Sequence, residues 1–167
     1  MTVSTVFIGV GANLTPDGYD SPRAGCSAAL DRLANYGIDL VAKSRWYESA
    51  PVPMSDQPWY LNAVAMATTS HTAAETLACL NQIEAAFGRV RAVRNAARVL
   101  DLDLIDFGGL VSDAPDLVLP HPRMHERAFV LWPLQELAPD WRHPISGTSI
   151  EELVVALPGD QQIRLAE

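Results

Sequence analysis

Stretches with apolar residues at every second position and stretches with apolar residues at helical spacing follow one another in the order strand, helix, strand, strand, helix, strand over the first 105 residues, and few folds accept that order. Val6, Ile8 and Val10 alternate with Phe7 and Gly9 and predict a first strand ending at the turn Gly11-Ala12-Asn13. Ser21 offers a cap, Pro22 suits the first helical position, Ala29, Leu30 and Leu33 repeat at helical spacing, and Gly37 supplies a left-handed stop. A strand over 38–48 leads through a proline-rich connection, Pro51 to Pro58, into a strand over 59–69 whose Leu61, Ala63, Ala65 and Ala67 share one face. Thr72 and Glu75 form a capping-box pattern that opens a second helix, which Gly88 can end. Leu100, Leu102 and Leu104 then alternate with Asp101 and Asp103, giving a last strand with an apolar row on one face and two carboxylates on the other. The sum is the split βαβ, ferredoxin-like pattern: an α+β fold whose antiparallel sheet carries both helices on one face and leaves the other for ligands. A hairpin over 106–120, a helix over 125–137 and a short helix capped by Ser149 and ended by Pro158-Gly159 form a C-terminal extension.

The length of 167 residues suits one domain, taken as 1–167. With 12 Lys and Arg against 20 Asp and Glu, the formal net charge is −8. Such a surface repels phosphate backbones and anionic lipids at long range, so neither nucleic acid nor a membrane is an expected partner. An anionic ligand must instead be met by a local basic cluster. Cys26 and Cys79 fall in predicted helices and in no CxxC or CxxH pattern, and no leader or long apolar run is seen. A monomer in a reducing, cytoplasmic setting is expected. Trp46, Trp59 and Trp132 can be core, interface or pocket residues, with core the default for a lone tryptophan.

Four of the 12 basic residues, Arg89, Arg91, Arg94 and Arg98, crowd into the loop that ends just before Asp101 and Asp103. Arginines present planar forks that bind phosphate oxygens bidentately, and two carboxylates on one strand face can hold Mg²⁺, which in turn bridges phosphates. That pairing fits a nucleoside triphosphate and phosphoryl transfer. Strict alternation turns Asp106 to the opposite face and away from any metal. Gly9-Val10-Gly11-Ala12-Asn13-Leu14 lacks the third glycine of a dinucleotide loop, no GxxxxGK[ST] is present, and Pro122 between His121 and His125 argues against a helical zinc site. Asn62 points away from Leu61, toward the free sheet face, where its amide can either read a heterocycle edge or make a cross-strand bond.

Taken together, the stretches 56–63, 88–91, 98–103 and 120–123 with 126–131, preceded by Gly11-Ala12-Asn13 and by Ser44, Tyr47 and Ser49, resemble the 6-hydroxymethyl-7,8-dihydropterin pyrophosphokinase family over nearly the whole chain. The resemblance implies transfer of the β,γ-pyrophosphate of ATP to the pterin hydroxymethyl group with release of AMP, on the route to folate, with ATP as co-substrate and two Mg²⁺ ions. It assigns Asp101 and Asp103 to the metal pair and Arg89 and Arg98 to mobile catalytic loops. Arg91, Arg94, His121 and Arg127 match nucleotide contacts, as does Asn81, while Glu84 matches an acid in the supporting shell of that site. Tyr60, Asn62, Phe129, Ser49 and the backbone of Val52 match pterin contacts, with Phe129 stacking on the ring. Where many members carry Trp-Gly-Pro in the arginine loop, this chain has Asn95-Ala96-Ala97, which implies one stacking wall fewer and weaker pterin binding. Asn81, Ser49 and Ala12 also stand where the family often has Gln, Thr and Ser. The same metal pair would serve a nucleotidyl or single-phosphoryl transferase, and a non-catalytic module that binds nucleotide or pterin would share the fold; the nucleotide product separates the three.

Overall fold

The nine residues Ser4–Ala12 form β1, the strand on which the rest of the computed structural model is assembled; the structure describes residues 2–51, 55–88 and 99–166. β1 lies between β4 (Tyr60–Thr69) and β5 (Asp101–Phe107), antiparallel to both. Beyond β4 come β2 (Ile38–Lys43) and β3 (Tyr47–Ser49), side by side along its length, and then β8 (Ile163–Leu165) on β3. The order β5-β1-β4-β3-β8, with β2 also on β4, makes a six-stranded antiparallel sheet. β6 (Ser112–Ala114) and β7 (Leu117–Leu119) form the expected hairpin.

One face of this sheet is apolar because its alternate residues are. Val6, Ile8 and Val10 of β1, Ala63, Ala65 and Ala67 of β4 and Leu100, Leu102 and Leu104 beside and along β5 meet α1 (Pro22–Arg32) and α2 (Ala73–Ala86) in one core. Leu30 and Leu33 are buried in the same core, and each Leu or Ile so buried contributes about 1.5–3 kcal/mol. Both helix starts are those predicted: Ser21 Oγ accepts from Ala24 N at 3.0 Å, and Thr72 and Glu75 exchange bonds in a capping box. Gly37 takes a left-handed conformation, φ +77°, as the stop after the first helix requires.

The opposite face is only half open. α3 (Ala128–Leu137) and α4 (Ile150–Val155) cover its other half, where Phe7, Val64 and Ile105 bury against Leu131, Leu134, Trp141 and Ile150. The helix expected over 125–137 therefore begins at Ala128, after a 3₁₀ turn at Met124–Glu126 and an extended Arg127. The strand expected over 38–48 is two strands. Ser44 interrupts it by accepting from Val64 N through its side chain at 3.0 Å, in place of the next ladder bond, which turns Trp46 inward. Trp46 is thus core, but Trp132 is 38% exposed and Trp59 lies half-buried under Arg164.

Asp106 corrects the strict alternation. A bulge at Ile105 shifts the register, so that Asp106 pairs with Phe7 and shares its face, the same side of the sheet as Asp101 and Asp103. Both oxygens of Asp106 accept from the protein itself. Trp141 Nε1 donates to one oxygen at 3.0 Å and Gly109 N to the other at 3.1 Å, in a buried setting.

Candidate active site

Where α3 stops covering the sheet, a cavity of about 790 Å³ opens on its second face. Asp101 and Asp103, two residues apart on β5, both point into it. Opposite them on the central strand stand Gly11 and Gly9 respectively, so the floor beside the carboxylates is bare backbone. A Cβ on Gly11 would come within 2.8 Å of Asn62 Oδ1, so the glycine is required for Asn62 to lie where it does. Asn62 in turn donates from Nδ2 to Ser49 Oγ at 2.7 Å, and Tyr60 lies beside them in the wall. Just past the end of β1, Asn13 donates to Gln57 Oε1 and to the Pro58 carbonyl, both at 3.1 Å, which ties the first turn to the connection entering β4.

The third wall is the segment from Pro120 to Phe129. His121 is hooked to β5 by its backbone N–H, which donates to the Ile105 carbonyl at 2.8 Å. Its Nδ1 accepts from Arg123 N at 3.2 Å, so the neutral ring carries its proton on Nε2. Burial, reinforced by the positive charge of Arg127, pushes His121 down to about 4, and it is a neutral donor at pH 7. Burial lowers the Arg127 guanidinium as well, while the charge of Asp103 works the other way. Arg127 stays fully charged and lies over the Phe129 ring at 5.4 Å. The two β5 carboxylates, a guanidinium and a neutral imidazole thus share the cavity with an amide, a hydroxyl and an aromatic ring, and Arg123, Glu126 and Asp160 line it as well.

The magnesium implied by the sequence fits this donor set. Mg²⁺ takes one or two protein carboxylates and completes its shell with water and substrate oxygens, rather than requiring an all-protein cage. Among the described residues no group of three or more His, Cys, Asp and Glu is gathered as such a cage. Asp101 and Asp103 side by side on a cavity wall, with glycine opposite each, are that kind of partial site.

Of the residues predicted from sequence, Asp101, Asp103, His121 and Arg127 line the cavity together with Ser49, Tyr60, Asn62 and Phe129. Two predicted residues do not. Asn81 is exposed on α2, and Glu84 lies on the far side of β5, 1% exposed, where its Oε2 accepts from Leu102 N at 2.8 Å. Glu84 thus holds the peptide between the two aspartates from behind. Arg89, Arg91, Arg94, Arg98 and Val52, with the departure at 95–97, lie outside the described residues. Burial pushes the Cys26 thiol up to about 12, so it is no nucleophile at neutral pH. A second hollow of about 520 Å³ beside Trp46 holds none of the predicted groups; of its cations, Arg45 is paired with Glu136 at 3.0 Å and Lys43 sits on the Trp46 ring.

Sequence reasoning missed the floor and one wall. Gly9 and Gly11 read in sequence as part of a first strand, its closing turn and an incomplete dinucleotide loop, although glycines inside a strand are themselves a sign of close approach. β8 and the turn before it, including Gln161, carry no periodicity from which a strand could be read.

Residues 7–139 match the family described as 7,8-dihydro-6-hydroxymethylpterin-pyrophosphokinase (HPPK). The chain is 41% identical to a 2-amino-4-hydroxy-6-hydroxymethyldihydropteridine pyrophosphokinase of Pseudomonas aeruginosa over 157 residues, 93% of each chain. It is 37% identical to the protein of the same name from Methylorubrum extorquens, over 93% of this chain and 94% of that one. In fold it is similar to a Plasmodium falciparum HPPK-DHPS solved with pterin and p-hydroxybenzoate, with a TM-score of 0.72 at 11% identity; the match covers 92% of this chain and 43% of that one. No helix among the described residues is long and apolar enough to cross a membrane. By sequence over most of its length and by fold, the chain belongs to the 7,8-dihydro-6-hydroxymethylpterin-pyrophosphokinase family.

Proposed function

We propose that this protein transfers the β,γ-pyrophosphate of ATP to the hydroxymethyl oxygen of 6-hydroxymethyl-7,8-dihydropterin and releases AMP, with two Mg²⁺ ions. The observation that carries this reading is the pairing of Asp101 and Asp103 on one cavity wall with the Ser49, Asn62 and Phe129 cluster in the same cavity. One end suits a metal-bound polyphosphate and the other a flat heterocycle with donors and acceptors on its edge.

Each residue's part follows from its chemistry. Asn62, fixed by Ser49, presents an amide whose acceptor faces the cavity floor, and Phe129 offers a ring face against which a pterin can stack. Tyr60 completes that wall. Arg127 supplies a charged fork for phosphate oxygens, and His121, neutral at working pH, donates from Nε2 without adding a proton that would have to be lost. Magnesium held by Asp101 and Asp103 supplies neutralisation of phosphate charge and alignment of the attacking and leaving oxygens when bound. Arg89 and Arg98 are proposed as the catalytic arginines, Arg91 and Arg94 as triphosphate contacts, Asn81 as a nucleotide contact and the Val52 backbone as a pterin contact. No general base is assigned.

Incubation with ATP, Mg²⁺ and 6-hydroxymethyl-7,8-dihydropterin, followed by nucleotide chromatography, tests the reading. AMP formed one-for-one with a pyrophosphorylated pterin is expected. ADP as the nucleotide product, free pyrophosphate, or no turnover would overturn it.

A further inference from the structure

The first helical N–H groups of α3 have no partners within the helix, and Arg127, its N-cap, makes no side-chain capping bond. The partner arrives from 33 residues further along. Gln161 Oε1 accepts from Ala128 N at 2.8 Å, and the same amide donates from Nε2 to the Glu126 carbonyl at 2.7 Å. One side chain therefore grips the peptide groups on both sides of Arg127, as a neighbouring strand would grip an extended residue. Arg127 is in fact extended, at φ −118° and ψ 113°, between a 3₁₀ turn and a helix, either of which would rotate its side chain elsewhere.

The clamp is anchored. Ala50 N donates to the Gln162 carbonyl at 3.1 Å, β8 pairs with β3 directly afterwards, and Arg164 lies over the Trp59 ring at 4.4 Å. Gln161 is thus held by the strand that carries Ser49 and holds the residue that carries the cavity's guanidinium.

We propose that Gln161 is a positioning residue for nucleotide binding: by fixing the extended backbone at Arg127 it aims that guanidinium at the triphosphate. This rests on the pyrophosphokinase reading of the cavity. A side chain as long as Arg127 that must be ordered on binding costs affinity, and a clamp that orders its root beforehand removes part of that cost.

The test is a double-mutant cycle on the full chain, read as binding of Mg²⁺ and α,β-methylene-ATP by calorimetry. Gln161→Ala is expected to weaken nucleotide binding about tenfold in the wild-type background and less than twofold in an Arg127→Ala background. Binding of 6-hydroxymethylpterin, which a general loosening of the cavity would also weaken, is expected to move less than threefold. Gln161→Met, which keeps the volume of the stem but neither polar group, is expected to behave as the alanine variant does. Unchanged nucleotide affinity in both Gln161 variants overturns the proposal, and so does a penalty that persists in full without Arg127 or falls equally on the pterin. If the wild-type protein binds no nucleotide, the pyrophosphokinase reading itself fails and the proposal falls with it; Arg127→Ala then has nothing to lose, which separates the two failures.

Discussion

Replacing Gly11 by alanine isolates the pterin end of the cavity. The backbone there is ordinary extended strand, so the methyl group is tolerated by conformation and opposed only by its neighbours: Asn62 Oδ1 at 2.8 Å and the Leu61 carbonyl at 3.2 Å. The Asn62 amide must swing away, breaking its bond to Ser49 Oγ. For stability the terms nearly cancel. A lost neutral hydrogen bond costs about 1 kcal/mol, and Gly→Ala in a compatible conformation returns about 0.4–1 kcal/mol through the unfolded chain. In a chain of this size the melting temperature should move by less than about 4 °C. For pterin binding nothing compensates. Loss of up to two hydrogen bonds from a displaced amide corresponds to roughly 1–3 kcal/mol, or about a 5- to 150-fold rise in Kd. Calorimetric titration with 6-hydroxymethylpterin, in the presence of Mg²⁺ and α,β-methylene-ATP, measures it. Gly9→Ala is the control. Its methyl meets Ile105 Cδ1 at 3.2 Å, the free end of a flexible chain, and Asp103 Cβ at an ordinary 3.8 Å, so pterin affinity should change less than threefold. A folded Gly11→Ala protein that binds pterin as tightly as wild type, or an equal loss in Gly9→Ala, would refute the reasoning.

Asp103→Asn removes one of the two strand carboxylates without changing shape and should cut AMP formation by at least about a hundredfold while the protein still folds, as chromatography and circular dichroism will show. Glu84→Ala orphans the buried Leu102 N–H, which on its own costs about 1–3 kcal/mol; urea unfolding should report at least that much, whereas Glu84→Gln keeps the acceptor. His121 is held down to about 4 in the folded state, so its contribution is fully present above its ordinary 6.5 and is lost as the pH falls from there to about 4, amounting to roughly 3 kcal/mol at most. In metal-free buffer, His121→Gln should therefore lose less stability than wild type between pH 7 and pH 4.5, and equal losses in the two proteins would count against the burial argument.

Element order, helix caps and the two-carboxylate strand were legible because each rests on local chemistry: Ser21-Pro22, Thr72 with Glu75, Gly37, and the Leu100 to Leu104 alternation all act within a few residues. What the chain did not disclose depends on partners distant in sequence. The interruption at Ser44 needs Val64, the break at Arg127 needs Gln161, and the half-covered sheet face needs α3 to fold back across Phe7 and Val64. Glu84 shows the same division within the site. The family resemblance gives it a supporting place behind the nucleotide site, but only the packing of α2 on β5 reveals that its carboxylate bonds the peptide between the aspartates from the opposite face.

The bulge at Ile105 shows why two of the three carboxylates of β5, and not all three, face the cavity. Without it, period-two alternation would send Asp106 to the helix-covered face, among the apolar residues of that core. With it, Asp106 moves to the side of Asp101 and Asp103, but far enough along β5 for Trp141 Nε1 and Gly109 N to take one oxygen each. The donors that make its burial tolerable also keep it out of the cavity. A third β5 carboxylate there would add repulsion against a polyphosphate while supplying a ligand that magnesium, which keeps several of its own waters, does not need. The irregularity in the strand thus both protects the core from a charge and limits the negative charge that a triphosphate must approach.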